Sequence, residues 1–280
     1  MLGPAAGGSA TGERPPVVLD VRWRLAGPSA REDYGKGHLP GAVFLDLDTD
    51  LAAAPGPAGR HPLPDPGALQ ATLRAVGVRA GDRVIAYDDR DGSVAARAWW
   101  LLRWAGHDDV AVLDGGYAGW TEEGRPVTTE VPDPVPGDIV VTPGGMPVLG
   151  ADDAAALAEG TGLLLDARAP ERYRGDVEPV DPRAGHVPGA RNAPFAQHVG
   201  PDGRWRTPGE LAARFRDLGV SPDVPVGVYC GSGVTASSVV LAIEVSGVLD
   251  GPAALYAGSW SNWSADPARP VATGDEAASG

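Results

Sequence analysis

Val226-Gly227-Val228-Tyr229-Cys230-Gly231-Ser232-Gly233-Val234-Thr235-Ala236 reads as a short apolar strand, a tight glycine-rich loop and the approach to a helix over Ser237 to Val245. Upstream, Thr207 stands where an N-cap would, with Pro208 at the first helical position. Glu210 completes a capping-box pattern with Thr207. Leu211, Phe215 and Leu218 fall on one helical face, and Gly219 ends the helix. Earlier still, Leu163-Leu164-Leu165 is an apolar run of the kind found in strands covered on both faces. Alternating strands and helices predict an α/β fold: a mostly parallel sheet flanked by helices.

The same pattern occurs twice. Asp65-Pro66-Gly67-Ala68-Leu69 reappears as Thr207-Pro208-Gly209-Glu210-Leu211, and at that offset Gly77-Val78 matches Gly219-Val220, Val84 matches Val226 and Tyr87 matches Tyr229. Leu19-Asp20-Val21-Arg22 resembles Leu165-Asp166-Ala167-Arg168, and Gly37-His38-Leu39-Pro40-Gly41-Ala42 resembles Gly185-His186-Val187-Pro188-Gly189-Ala190. Gly115-Gly116-Tyr117 and Trp120 resemble Gly258-Ser259-Trp260 and Trp263. So many matches in one order imply two homologous units. They are placed at 16–130 and 148–271, with a Pro-rich linker at 131–147 and tails at 1–15 and 272–280.

Composition narrows the function. The net charge of −14 over 280 residues argues against a phosphate-backbone binder, which needs clustered Lys and Arg. No apolar stretch reaches the 18 residues of a membrane span, and Met1 to Pro16 lacks the basic and apolar regions of a secretory signal. The expected compartment is therefore the cytoplasm, where a thiol stays reduced. With Cys230 the only cysteine, neither an internal disulfide nor a cysteine-based zinc cluster is possible. No metal or organic cofactor is indicated.

Cys230 lies at the C-terminal end of a strand, where ligands bind in open α/β sheets. Gly231 and Gly233 let the loop curl around the sulfur, and its amides, with Val234 and Thr235 leading into the helix, form a positive cradle that favours a thiolate or an anionic persulfide. An arbitrary cysteine is more often inert core; the loop and its position argue otherwise here. The matching residue of the first unit is Asp88, which cannot do a thiol's chemistry. His38 and His186 recur in both units and are expected to hydrogen-bond locally. Asp20, Arg22, Asp166 and Arg168 are expected to pair at strand ends, and the recurring aromatics to pack.

Over roughly residues 15–271 the chain resembles the tandem-domain rhodanese family of sulfurtransferases, and Cys230-Gly-Ser-Gly-Val-Thr-Ala236 resembles its 3-mercaptopyruvate branch. The resemblance implies two rhodanese-like domains, the second catalytic, with the site near their interface. Thiosulfate-preferring members carry basic residues just after the cysteine; Gly231 and Ser232 stand there. It further implies a Ser-His-Asp arrangement beside Cys230, assigned to Ser232, His61 and Asp48, with Asp46 the neighbouring alternative. Arg172 matches the substrate arginine. For a second substrate arginine, Arg183 is the nearest candidate and Arg174 the alternative.

The expected activity is transfer of sulfur from 3-mercaptopyruvate, through a Cys230 persulfide, to cyanide or an external thiol such as thioredoxin. Thiosulfate as donor is the nearest alternative. A phosphatase would need an arginine where Ala236 stands, and a non-catalytic binding module would not need an intact nucleophile loop.

Overall fold

The computed structural model describes residues 14–25 and 29–275. β1 (Val17–Asp20), β2 (Val43–Phe44), β3 (Val84–Tyr87) and β4 (Val110–Val112) form a parallel sheet of order β2-β1-β3-β4. β5 (Val148–Leu149), β6 (Leu163–Asp166), β7 (Arg191–Asn192), β8 (Val226–Tyr229) and β9 (Ala254–Tyr256) form a second, of order β5-β9-β8-β6-β7, also parallel throughout. Without the edge strand β5, the second order repeats the first. The register repeats too: Asp20 lies between Phe44 and Tyr87, and Asp166 between Asn192 and Tyr229. β6 and β8 are buried along their whole length, as their apolar runs require.

Two matching helices begin where their capping residues dictate. Asp65 accepts from the N–H groups of Gly67 and Ala68 ahead of helix Pro66–Ala75. Thr207 and Glu210 cap helix Pro208–Asp217 reciprocally. Leu211 and Phe215 are buried on that helix, whereas Leu218 is its half-buried C-cap. The helix after Cys230 runs Thr235–Ser246, two residues earlier than the sequence suggested. It packs against helix Ala95–Trp104 of the first unit, and one apolar core runs through both units by way of this pair.

Each unit is locked by the same polar knot. Arg22 donates to Asp20 at 2.7 Å and to the Gly37 carbonyl at 2.9 Å; Arg168 donates to Asp166 at 2.6 Å and to the Gly185 carbonyl at 2.7 Å. The Tyr87 hydroxyl donates to Asp20 and accepts from Leu39 N–H, and the Tyr229 hydroxyl accepts from Val187 N–H. His38 Nδ1–H donates to the Tyr34 carbonyl and His186 Nδ1–H to that of Tyr173, each at 2.8 Å, with the rings stacked on those tyrosines. The recurring histidines and Asp–Arg pairs are thus structural, and Trp260 and Trp263 are buried core.

Residues 131–147 hold no helix or strand before β5, yet they are not a loose linker. Gly137 and Thr142 N–H donate to the carbonyls of Arg74 and Ala105, Arg74 donates to the Ile139 carbonyl, and Ile139 and Met146 are buried. The segment is a strap tied to the first unit, because its apolar residues have a core to enter. The expected tails at 1–15 and 272–280 lie largely outside the described residues, but Ala272 exchanges backbone hydrogen bonds with His186 and so belongs to the fold.

Replacing Asp166 with alanine strands a buried guanidinium, since Arg168 is 2 % exposed. The expected cost is about 3–5 kcal/mol, read as a fall in the urea midpoint with no change in slope.

Candidate active site at the domain interface

Cys230 follows β8 and is 2 % exposed. The Gly233 N–H donates to its sulfur at 3.1 Å. Gly233 has φ +83°, and a Cβ there would meet the Ala257 carbonyl oxygen at 2.4 Å, so only glycine turns that amide onto the sulfur. Among the described residues it is the one amide bonded to Sγ. The fuller cradle expected of Gly231, Val234 and Thr235 is reduced to this donor and to the start of the helix behind it.

The loop is braced from below. The Cys230 N–H donates to Ser259 Oγ at 3.1 Å, and Ser259 Oγ–H donates to the Tyr256 carbonyl. Ser259 has φ +53°, a left-handed conformation that a non-glycine residue rarely takes. In the first unit the matching position is Gly116, with φ +54°. Ser259 was not among the expected site residues, although the Gly116–Ser259 mismatch inside a close repeat was a legible signal.

Ser232 Oγ lies 2.7 Å from His61 Nδ1, and His61 Nε2 lies 2.9 Å from Asp48 Oδ1. The carboxylate can only accept, so Nε2 carries the proton and Nδ1 accepts from the Ser232 hydroxyl. Burial holds the His61 pKa below its ordinary value, opposed by the hydrogen bond to Asp48, and keeps Nδ1 a free acceptor. Trp23 fixes the other Asp48 oxygen through Nε1 at 3.0 Å and meets the His61 ring edge-on. Asp46 caps the short helix Leu47–Asp50 through the N–H groups of Asp48 and Thr49. That occupation settles the choice between the two aspartates: Asp46 holds backbone and Asp48 holds His61.

Arg172, on helix Pro170–Arg174, lies beside Gly231 and is held by Glu178 at 2.6 Å and Asp181 at 3.2 Å. Arg183 is not at the site. Its guanidinium is spent on the carbonyls of Trp263, Ser264, Asp266 and Arg269, where it closes the C-terminal end of helix Ser259–Ala265. A cation at a helix C-terminus is stabilised by the unpaired carbonyls there. Arg174 is paired with Asp176.

Two basic residues the sequence analysis missed do reach the loop. Arg60, from the first unit, flanks Gly231. Arg97, wholly buried on the interface helix, donates to the carbonyls of Leu51, His61 and Pro62 on one side and of Gly233 on the other. Burial brings the Arg97 pKa down to about 10, and the charge of Cys230 opposes that fall. Neither residue carried a spacing or motif signal of its own.

The rhodanese-like domain profile matches residues 9–123 and 150–266. The chain belongs to the rhodanese family. It is 48% identical over 267 residues to a Pseudomonas aeruginosa protein named "Probable 3-mercaptopyruvate sulfurtransferase", covering 92% of this chain and 93% of that one. It is 46% identical over 266 residues to the Mycobacterium tuberculosis protein named "Putative thiosulfate sulfurtransferase SseB", covering 93% and 92%. Among solved structures, 3-mercaptopyruvate sulfurtransferase SseA from Escherichia coli superposes with a TM-score of 0.77 at 34% identity, covering 88% of this chain and 92% of that one.

The hydrogen-bond chain through His61 has a consequence for its titration. In an NMR titration its midpoint is expected below 6.5, and lower still in Asp48→Asn, because the charge that favours the imidazolium is gone. A midpoint that rises in the variant would contradict the assigned direction of the chain.

Proposed function

We propose that this rhodanese is a sulfurtransferase that takes the sulfur of 3-mercaptopyruvate as a persulfide on Cys230 and passes it to an external thiol or cyanide. The observation that carries the reading is the connected chain Asp48–His61–Ser232 set one residue from the nucleophile's neighbour and completed across the interface. A serine hydroxyl backed by a neutral histidine suits a donor with a carbonyl oxygen on which charge develops. The three proteins named above are sulfurtransferases by name, two of them for 3-mercaptopyruvate and one for thiosulfate.

The Cys230 thiolate attacks the donor's sulfur, and the new S–S bond forms as the carbon–sulfur bond breaks. The electron pair of the broken bond moves into the enolate of pyruvate, and the Ser232 hydroxyl, which has one proton to give, turns from His61 Nδ1 to donate it to the enolate oxygen. A proton added at carbon then releases pyruvate, leaving the outer sulfur on Cys230. The Gly233 amide and the start of helix Thr235–Ser246 favour the anionic sulfur at each stage. Arg172 grips the donor's carboxylate. With no second cysteine, the persulfide must be discharged by an outside acceptor, a role suited to a small thiol or thioredoxin. The burial of Cys230 favours a small donor.

Mass spectrometry of the intact chain after 3-mercaptopyruvate is expected to show one added sulfur in the wild type and none in Cys230→Ser. No added sulfur in the wild type would overturn the reading.

Thiosulfate is the second reading, supported by the paired arginines beside Gly231, which suit any small oxyanion. The two donors differ in what they ask of Ser232. Ser232→Ala is expected to slow persulfide formation from 3-mercaptopyruvate by roughly 10²-fold and to act far less on thiosulfate, which has no carbonyl, in stopped-flow single turnovers. Equal loss with both would remove the carbonyl role.

A further inference from the structure

We propose that Arg97 is a positioning residue for the nucleophile: a fixed positive charge, delivered by the first domain, that favours Cys230 as a thiolate and then as a persulfide anion. The persulfide half of the inference rests on the sulfurtransferase reading; the thiolate half does not need it.

Three observations converge on Arg97. The first is isolation. The buried arginines at the strand ends, Arg22 and Arg168, each have an aspartate, at 2.7 and 2.6 Å. Arg97 is wholly buried, and among the described residues no carboxylate pairs with it. Its hydrogen bonds, from 3.2 to 3.4 Å, all go to backbone carbonyls, which carry dipoles but no net charge. A buried cation so placed is costly until an anion forms beside it. The second observation is placement. Arg97 Nη1 donates to the carbonyl of Gly233, the residue whose N–H donates to Cys230 Sγ at 3.1 Å. Ser237 Oγ donates to the same carbonyl and helps fix it. The charge of Cys230 is the one that opposes the effect of burial on Arg97. Such an attraction is mutual: a thiolate that stabilises the guanidinium is stabilised by it.

The third observation is that the other charged groups on the elements around Arg97 are committed elsewhere. Asp46 and Asp50 hold backbone N–H groups at the start of their short helix, and Asp48 is held by His61 and Trp23. Arg103 pairs with Glu244. Arg60 and Arg172, beside Gly231, are matched by Asp181 and Glu178. His61 does not serve as the counter-ion either: burial, and then the charges of Arg60 and Arg97, hold it neutral against the pull of Asp48, and its Nδ1 faces Ser232. The cysteine therefore has no imidazolium beside it, and Arg97 is the unmatched cation at its back. The first domain, with Asp88 where a nucleophile would stand, supplies this charge to the second.

The test reads the cysteine itself and needs no sulfur donor. Arg97→Gln keeps N–H donors for the carbonyls and loses the charge, whereas Arg97→Lys keeps the charge. Alkylation of Cys230 by iodoacetamide at neutral pH is expected to slow roughly 10–100-fold in Arg97→Gln and to recover most of its rate in Arg97→Lys. The gap is expected to close at alkaline pH, where hydroxide removes the proton unaided. The ultraviolet absorbance of the thiolate, taken as the difference from Cys230→Ser, is expected to follow the same order. In the wild type, the guanidinium NMR signals of Arg97 are expected to move as Cys230 ionises and to stay in place in Cys230→Ser. The proposal is overturned if Arg97→Gln reacts as fast as the wild type, or if its loss is the same at every pH, since Arg97 would then be only a tie between loops. Equal rates in Arg97→Lys and Arg97→Gln overturn it too, as does an Arg97 signal blind to Cys230. Melting temperatures check that the variants fold, and if they do not, the wild-type NMR titration decides alone. If the thiolate depends on Arg97 and 3-mercaptopyruvate still leaves no sulfur on the wild type, the sulfurtransferase reading fails while the counter-charge stands.

Discussion

The hydrogen bond between Ser232 and His61 joins residues 171 positions apart and on different domains. The whole site depends on the two domains staying pressed together. That contact is built on the helices Ala95–Trp104 and Thr235–Ser246, whose apolar faces close into one core. Arg97 then pins the arrangement. As a buried cation bound only to carbonyls, it holds the His61 loop and the Cys230 loop in a single coordination. A charge in such a place is costly by itself. It becomes tolerable where an anion forms nearby, and Cys230 is the group whose charge acts on it.

The duplicated architecture shows how one scaffold came to hold two different strand-end loops. In the first domain the Asp88 carboxylate accepts from the N–H groups of Arg90, Gly92, Val94 and Ala95. Burial and the neighbouring Asp91 push its pKa up to about 6 against those bonds. The cradle is filled by a side chain of its own chain. In the second domain the thiol takes one amide, and the position is left for chemistry. The covering loops differ in the same sense. At the repeat's offset Gly203 stands opposite His61 and Arg90 opposite Ser232. Trp205 docks on the first domain through Asp91 and Asp114, as the His61 loop docks on the second. A loop of each domain thus docks on the other, and the hydrogen-bonded serine and histidine exist on one side.

Most of the fold could be read from local chemistry. The capping residues Asp65 and Thr207, the apolar strand runs and the recurring Asp-x-Arg pairs each act within a few residues or within one sheet, where spacing is enough. The site was legible to the extent that it shared those properties or a family motif: Cys230, Ser232, His61 and Asp48 do come together. Arg183 failed because loop spacing says which arginine is near in sequence, not which carbonyls a helix end leaves open. Arg60, Arg97 and Ser259 escaped because each works on a partner far along the chain, and one arginine looks like another until its surroundings are known.

The amino-acid order by itself determined the duplication, the parallel α/β architecture and the single nucleophile, since these follow from periodicity, capping and composition. The tertiary structure alone decided that Asp48 rather than Asp46 reaches His61, that Arg183 closes a helix and that Arg60 meets Arg172. It also decided that a segment expected as linker is a strap. The physical reason is the same in every case: hydrogen bonds and ion pairs between distant segments depend on distances of a few ångströms that packing sets, and no local pattern encodes them.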